Sequence, residues 1–253
     1  MAAAPSTRRR GTARRRTERA GRILEAAAEL VLRWGYDKTT IDDVARRAGV
    51  AKGTIYLHWS SREDLFAALL RWERAAMIGA VRRQLEEVPS SASLPGLFAC
   101  VARELHRRPL LRATVVQDSE VLGKLLQRKR TSTSTAEMIE PFEEYLGRLR
   151  QLGLAREDLS EADHLTIIGT VLHGSLASVT LLPEAFRAPD ERAGELMGEV
   201  LERTLGTGRT PSETESAAAA EATRDFVDHA YRVARATLQV SLGDDLLPDQ
   251  GAL

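Results

Sequence analysis

Apolar residues return along most of this chain at the three-and-four spacing of an α-helix. Ile23, Ala27, Leu30, Val31 and Trp34 make one such stripe, over a helix predicted for Arg16–Trp34, with Gly35 as its stop. Ile41, Val44, Ala45 and Ala48 make a second, with Asp42, Asp43, Arg46 and Arg47 on the opposite face. Thr40 precedes that run as an N-cap, and Asp43 is placed to complete a capping box. Gly49 follows at once, where a chain leaving a helix needs positive φ. A short helix is predicted for Lys52–His58, with Ile55 and Trp59 facing inward. Lys52, Thr54, Tyr56 and His58 then face outward. Two short helices with small residues at the corner form a helix-turn-helix, whose second helix fits a major groove.

The pattern continues in the same period. A long helix is predicted for Ser61–Glu87, opened by a capping box of Ser61 with Asp64 or Ser60 with Glu63. Pro89–Ser93 is a loop. Further helices are predicted for Leu94–His106, for Leu110–Arg130 with a break near Gly123, and for Ser134–Leu152. Leu165–Leu182 carries no Asp, Glu, Lys or Arg, and by length is a membrane-span candidate. Its many Thr, Ser and Gly residues, His173 and its charged flanks favour close helix packing instead. An all-round apolar helix must be buried, and a second copy of itself is one way to bury it. Asp190–Leu205 is its predicted partner. Gly206–Ser216 reads as a linker. Ala217–Leu242 is a last helix, with Phe226, Ala230, Val233, Thr237 and Val240 as its inner face; it extends a dimer interface or covers a ligand cavity.

The expected fold class is all-α: an N-terminal three-helix DNA-binding domain followed by a larger helical ligand-binding and dimerisation domain. The expected boundaries are a disordered basic arm over 1–15, the helix-turn-helix domain over 16–64, the helical body over 65–205 and a linker with an extra helix over 206–253. The low aromatic content, 5%, and the abundance of Ala, Leu, Arg and Glu agree with this. A single cysteine, Cys100, excludes an internal disulfide and fits a reducing compartment. The Arg-rich start lacks an apolar leader core, so the expected location is the cytoplasm.

Net charge is zero, yet it is unevenly spread. Residues 1–64 carry 14 Lys/Arg against 8 Asp/Glu, and the remainder 22 against 28. A basic end on an acidic body is the asymmetry expected where one end meets phosphate. Arg8–Arg10, Arg14 and Arg15 either add phosphate or minor-groove contacts or form a solvated tail. Lys52 and Thr54, at the exposed start of the second helix, are expected to reach base edges, with Leu57 meeting a thymine methyl. Thr39 and Thr40 cap a helix and can present N–H groups to a phosphate. Tyr56 is a core tyrosine or a phosphate contact; His58 donates to phosphate or packs beside Trp59.

The run GYDKTTIDDVARRAGVAKGTIYLHWSSREDL, Gly35 to Leu65, resembles the DNA-binding signature of the TetR family of bacterial transcriptional regulators. The resemblance rests on Gly35, Thr39, Thr40, Ile41, Val44, Ala45, Ala48, Gly49, Val50, Gly53, Thr54, Ile55, Tyr56, His58 and the Ser61–Leu65 run. Ala51 stands where the family usually has a capping Ser, and Trp59 where Phe is more usual. The resemblance implies a homodimer paired through its last core helices, with double-stranded DNA as partner. It also implies a palindromic operator and a small-molecule effector that releases a repressor. Tyr56 and Arg62 become phosphate contacts by the same resemblance, and Gly53 part of the DNA-contacting set. Leu165, Ile168, Leu172, His173, Leu176, Val179, Leu196 and Val200 are the expected dimer interface.

Phe98, Cys100, Met138, Phe142 and Tyr145 are candidates to line an effector cavity, or else plain core. Catalytic signatures are lacking: no GxSxG, GxxxxGK[ST], HExxH or CxxC occurs, and the five histidines have no metal-ligand spacing. No enzyme, cofactor, metal or membrane partner is expected. The competing readings are a ligand-independent architectural DNA-binding protein and an activator.

Overall fold

The computed structural model describes residues 7–123 and 137–242, and every regular element among them is helical. In order these are α1 (Thr7–Trp34), α2 (Ile41–Ala48), α3 (Lys52–Tyr56), α4 (Arg62–Glu87), α5 (Leu94–His106), α6 (Pro109–Val115) and α7 (Ser119–Leu122). They continue with α8 (Ile139–Gln151), α9 (Glu161–Leu181), α10 (Asp190–Leu205) and α11 (Glu213–Leu242); short 3₁₀ turns lie at Pro89–Ser91 and Glu184–Phe186. Leu94–His106 and Asp190–Leu205 are helices over the predicted spans. The described residues fall into two compact units. The first takes in 7–76, 117–123 and 234–242; the second takes in 77–116 and 137–233.

Several boundaries differ from the sequence reading: the predicted Leu110–Arg130 helix is interrupted at 116–118, the last helix starts at Glu213 within the predicted linker, and the short helix predicted to His58 ends at Tyr56. The first helix begins at Thr7, not Arg16. Arg and Ala are strong helix formers, so backbone propensity carries the helix on without an apolar stripe. The helix containing Leu165–Leu181 begins earlier, at Glu161, because Ser160 and Asp163 form a reciprocal capping box there. The predicted helix start at Ser134, like the stretch 124–133, lies outside the described residues.

In the first unit, Ile23, Leu24 and Ala27 of α1 are buried with Val44 of α2, Ile55 of α3 and Leu65, Phe66 and Leu69 of α4. Tyr36 meets Phe66 edge to face with ring centroids 5.0 Å apart. Trp34, expected in this core, is 41% exposed and lies beside the Arg33 guanidinium. In the second unit α5 packs closely on α10. Gly194 and Gly198, one turn apart, face Ala99 and Pro95, and a Cβ on Gly194 would stand 2.9 Å from the Ala99 carbonyl oxygen. Leu105, Leu111 and Leu176 join α5, α6 and α9 in one apolar cluster with Met77, Val101 and Leu172 around it.

Between α8 and α11 the rings of Phe142, Tyr145 and Phe226 pack together, Tyr145 stacked on Phe226 at 5.1 Å. Beyond Phe226 the buried face of α11 departs from the predicted stripe. Val227, Ala234, Leu238 and Leu242 are buried and Val240 is exposed. The predicted stripe followed a 3.5-residue period, which drifts off a straight helix by about 20° per heptad. Helix α9 is the one among the described residues long and apolar enough to cross a membrane, by length and composition.

Candidate nucleic-acid interface

The corner of α2 and α3 is built from short-range signals. Thr40 sits extended at φ −101°, ψ 160°, and its hydroxyl oxygen accepts the Asp43 N–H at 3.2 Å. The Asp43 carboxylate accepts in return from the Thr40 hydroxyl at 2.6 Å and the Thr40 N–H at 3.3 Å. Those bonds, the hydroxyl's first, hold the Asp43 carboxyl below its ordinary range. Gly49 leaves α2 in the left-handed region, φ 66°, and Val50 N–H returns to the Ala45 carbonyl at 3.0 Å. Ala51 precedes α3 with no side-chain cap, so the first turn of α3 lacks the bond a Ser would make.

The corner leaves Lys52, Gly53, Tyr56 and Leu57 exposed together, with Thr54 half-buried. Leu57 is 76% exposed, an unusual position for an aliphatic side chain flanked by polar residues. Gly53 has an ordinary helical backbone, and a Cβ there would meet no protein atom within 4 Å. The fold therefore does not need glycine at 53, and the space beside it is open. Lys52 Nζ is paired with Asp42 at 2.8 Å across the corner. Both groups are well exposed, so the pair is weak and exchangeable.

His58 is half-buried, its ring 5.2 Å from Trp59, and its Nδ1 has no hydrogen-bond partner. Burial lowers its pKa, and the positive charges of Arg16 and Arg19 lower it further. Those two arginines thus place positive potential at the end of α3. Of the two expected alternatives for His58, the packing beside Trp59 is the one present in this geometry.

Two of the expected DNA residues are engaged inside the protein. Thr39 is fully buried, and its hydroxyl donates to the Gly35 carbonyl at 2.9 Å, so its side chain belongs to the scaffold. Arg62 donates from Nε to the Thr39 carbonyl at 2.9 Å and from Nη2 to the Tyr36 carbonyl. Its guanidinium lies 3.8 Å from the Tyr36 ring centre. Arg62 clamps the turn that leads into the Thr40 cap. Sequence reasoning missed this role because both acceptors are backbone groups.

A distant stretch closes the same turn. Tyr36 N–H donates to the Val121 carbonyl at 2.8 Å, and Gly35, at φ +80°, lies against Glu120 so closely that a Cβ would stand 2.6 Å from its carbonyl oxygen. A Cβ on Gly123 would likewise stand 2.4 Å from an Asp37 carboxylate oxygen.

The candidate dimer residues divide into two groups. Ile168 and Leu176 are buried and Leu172 packs on the apolar cluster, so these three face the second unit's own interior. Leu165, His173, Leu196 and Val200 are exposed and Val179 is half-buried. The all-round apolar character of α9 thus divides into an inner face filled by its own chain and an outer face on which Leu165 and His173 are exposed.

The candidate effector residues divide as well. Phe142 and Tyr145 pack with Phe226, and the Tyr145 hydroxyl bonds Thr223 at 3.0 Å. Burial pushes the Tyr145 phenol well up. Cys100 is buried on α5, its sulfur accepting from Arg103 at 3.1 Å; Phe98 on α5 and Met138 before α8 are half-buried. A shallow depression of this unit is lined by Arg82, Leu85, Glu86, Arg224, Val227 and Asp228, none of them in the expected set. Among the described residues no group of three or more His, Cys, Asp or Glu is placed to hold a metal.

Residues 23–69 match the family described as bacterial regulatory proteins, tetR family. An HTH-type transcriptional regulator of Mycobacterium bovis, Mb2274c, is 33% identical over 129 residues, 49% of this chain and 63% of that protein. The HTH-type transcriptional activator FasR of Mycolicibacterium smegmatis is 39% identical over 77 residues, 30% of this chain and 35% of that protein. The matches thus span less than two thirds of these curated relatives. Among solved structures, a SmeT–triclosan complex superposes with a TM-score of 0.58 at 18% identity, over 77% of this chain and 96% of that one. That likeness shows the fold.

Proposed function

We propose that this chain, whose residues 23–69 match the tetR family of bacterial regulatory proteins, is a sequence-specific DNA-binding transcriptional regulator acting as a homodimeric, ligand-released repressor. The observation that carries the reading is the exposed set Lys52, Gly53, Tyr56 and Leu57 on a short helix whose own side is fixed by a capped corner. Lys52 exchanges its weak pairing with Asp42 for a base edge, and Thr54 reads beside it. Gly53 lets the backbone approach the groove, Leu57 meets a thymine methyl, and Thr40, Tyr56 and His58 contact phosphates. Thr39 and Arg62 act from behind, by fixing the start of α2.

The outer face of α9 and α10, on which Leu165, His173, Leu196 and Val200 are exposed, supports pairing with a second copy. Two reading heads then enter successive major grooves about 34–36 Å apart, and the operator is palindromic. A small molecule in the helical body favouring one arrangement of the heads would shift the dimer away from DNA; only that difference in affinity can act. An activator is the second reading, favoured by the similarity to FasR, a transcriptional activator, and it needs the same DNA contacts.

Selection of binding sites from random duplex DNA at two salt concentrations tests this. A palindromic motif with half-sites about one helical turn apart is the expected result. Tight, motif-free binding that disappears with salt would instead identify an architectural protein.

A further inference from the structure

The carboxy-terminal helix ends inside the first unit. Ala234, Leu238 and Leu242, spaced one turn apart on α11, are all buried there, whereas Val240 on the other side of the helix is 79% exposed. Ser241, in the last turn, makes two bonds to the DNA-reading part of the chain. Its carbonyl accepts the indole N–H of Trp59 at 3.1 Å, across 182 positions of sequence. Its hydroxyl accepts from the Arg71 guanidinium and donates to the Thr237 carbonyl at 3.2 Å.

Trp59 is itself 3% exposed and tied by its backbone to the reading helix, because its N–H donates to the Ile55 carbonyl at 2.9 Å. His58 N–H shares that acceptor, and Leu57 N–H returns to Gly53. A helix of five residues, with no side-chain cap at its start, has little stability of its own. Its position must come from what holds its ends.

We propose that the last turn of α11 is a working part of the DNA-reading head, with Trp59 as the positioning residue through which Ser241 and the Leu238–Leu242 stripe fix the end of α3. The inference rests on the DNA-binding reading above. Residues 234–242 touch no DNA in this scheme; they set how much of the population holds α3 ready to bind.

The test uses the full chain and three variants: Trp59→Phe, which keeps a ring and removes the donor, Leu238→Ala, and Val240→Ala on the exposed side of the same turn. Amide hydrogen exchange without DNA is read across 52–59, and DNA affinity is read on the selected site at two salt concentrations. Trp59→Phe and Leu238→Ala should both speed exchange at 52–59 and weaken DNA binding, Trp59→Phe by about five- to tenfold, the scale of one lost hydrogen bond. The salt slope should stay unchanged, because no phosphate contact is lost. Val240→Ala should move neither quantity. Unchanged exchange at 52–59 in Trp59→Phe and Leu238→Ala overturns the proposal. So does faster exchange with wild-type DNA affinity. If the wild-type chain selects no site at all, the DNA-binding reading fails on that result alone, before any variant is compared.

Discussion

Arg62 separates two explanations that both predict weaker DNA binding when it is lost. Its guanidinium donates to the carbonyls of Thr39 and Tyr36 and lies over the Tyr36 ring. Arg62→Ala removes both donors from a partly buried turn, taking the side-chain donor from the Thr39 carbonyl while the Tyr36 carbonyl keeps the Thr39 N–H. Hydrogen bonds to a charged group contribute roughly 1.5–3 kcal/mol each, and a partly exposed cation–π contact about 0.5–1 kcal/mol. Water reaching the opened turn recovers some of this, so we expect the DNA-free head to lose about 2–4 kcal/mol. Urea unfolding followed by tryptophan fluorescence measures it directly, because all three tryptophans, Trp34, Trp59 and Trp72, lie in the first unit. Arg62→Lys should recover little, since an ammonium cannot reproduce the fork that reaches two carbonyls. The reasoning is refuted if DNA-free unfolding is unchanged while DNA binding weakens and its salt slope falls by about one. That result would make Arg62 a phosphate ligand instead.

Two glycines should respond in opposite ways. Gly35→Ala should destabilise the head by roughly 2 kcal/mol or more, from positive φ and collision with the Glu120 carbonyl. Gly53→Ala should leave it as stable or firmer by about 0.5–1 kcal/mol, yet impair DNA binding; urea unfolding and affinity on one site check both. Tyr145→Phe should cost about 1–3 kcal/mol in the second unit by thermal unfolding: Thr223 already donates its only hydroxyl proton to Ala219, so Tyr145 must be its donor. Burial, then Arg16 and Arg19, hold the His58 pKa below 6.5, so the unfolded chain binds that proton more readily. Its contribution is complete above pH 6.5 and is lost as pH falls. The urea midpoint should therefore drop between pH 7.5 and 5.5, less steeply in His58→Gln; equal slopes would exclude the ring as a cause.

The corner of α2 and α3 was legible because every signal for it is local. Thr40 with Asp43 is a reciprocal cap within one turn, and Gly49 takes the backbone conformation that only glycine adopts cheaply. Ser160 with Asp163 is the same signal; the uncharged run drew attention to Leu165 and hid a readable start four residues earlier. Thr39 shows the limit of such reading. Beside Thr40 it looks like a second cap, yet its hydroxyl turns inward to Gly35, a choice set by the turn and not by residue type. The faces of α9 were ambiguous for another reason. Leu172 and Leu176 are as apolar as Leu165, and packing on Leu105 and Leu111 is what places them inside.

What no periodicity could supply is the way the head is closed from far along the chain. The α1–α2 turn is met by Val121 and Glu120, and the end of α3 by Ser241. In each case at least one partner is a backbone carbonyl, which carries no residue signature. The sequence nevertheless holds traces of both contacts once the geometry is known. Gly35 and Gly123 are small because Glu120 and Asp37 lie against them, and the residue after the reading helix is a tryptophan whose ring donates a bond phenylalanine could not make. A helix-turn-helix read as a self-contained module over 16–64 is therefore incomplete in its physics. The turn into α2 and the exit from α3 are held by residues 120–121 and 241, and the stability of the reading surface depends on all three stretches at once.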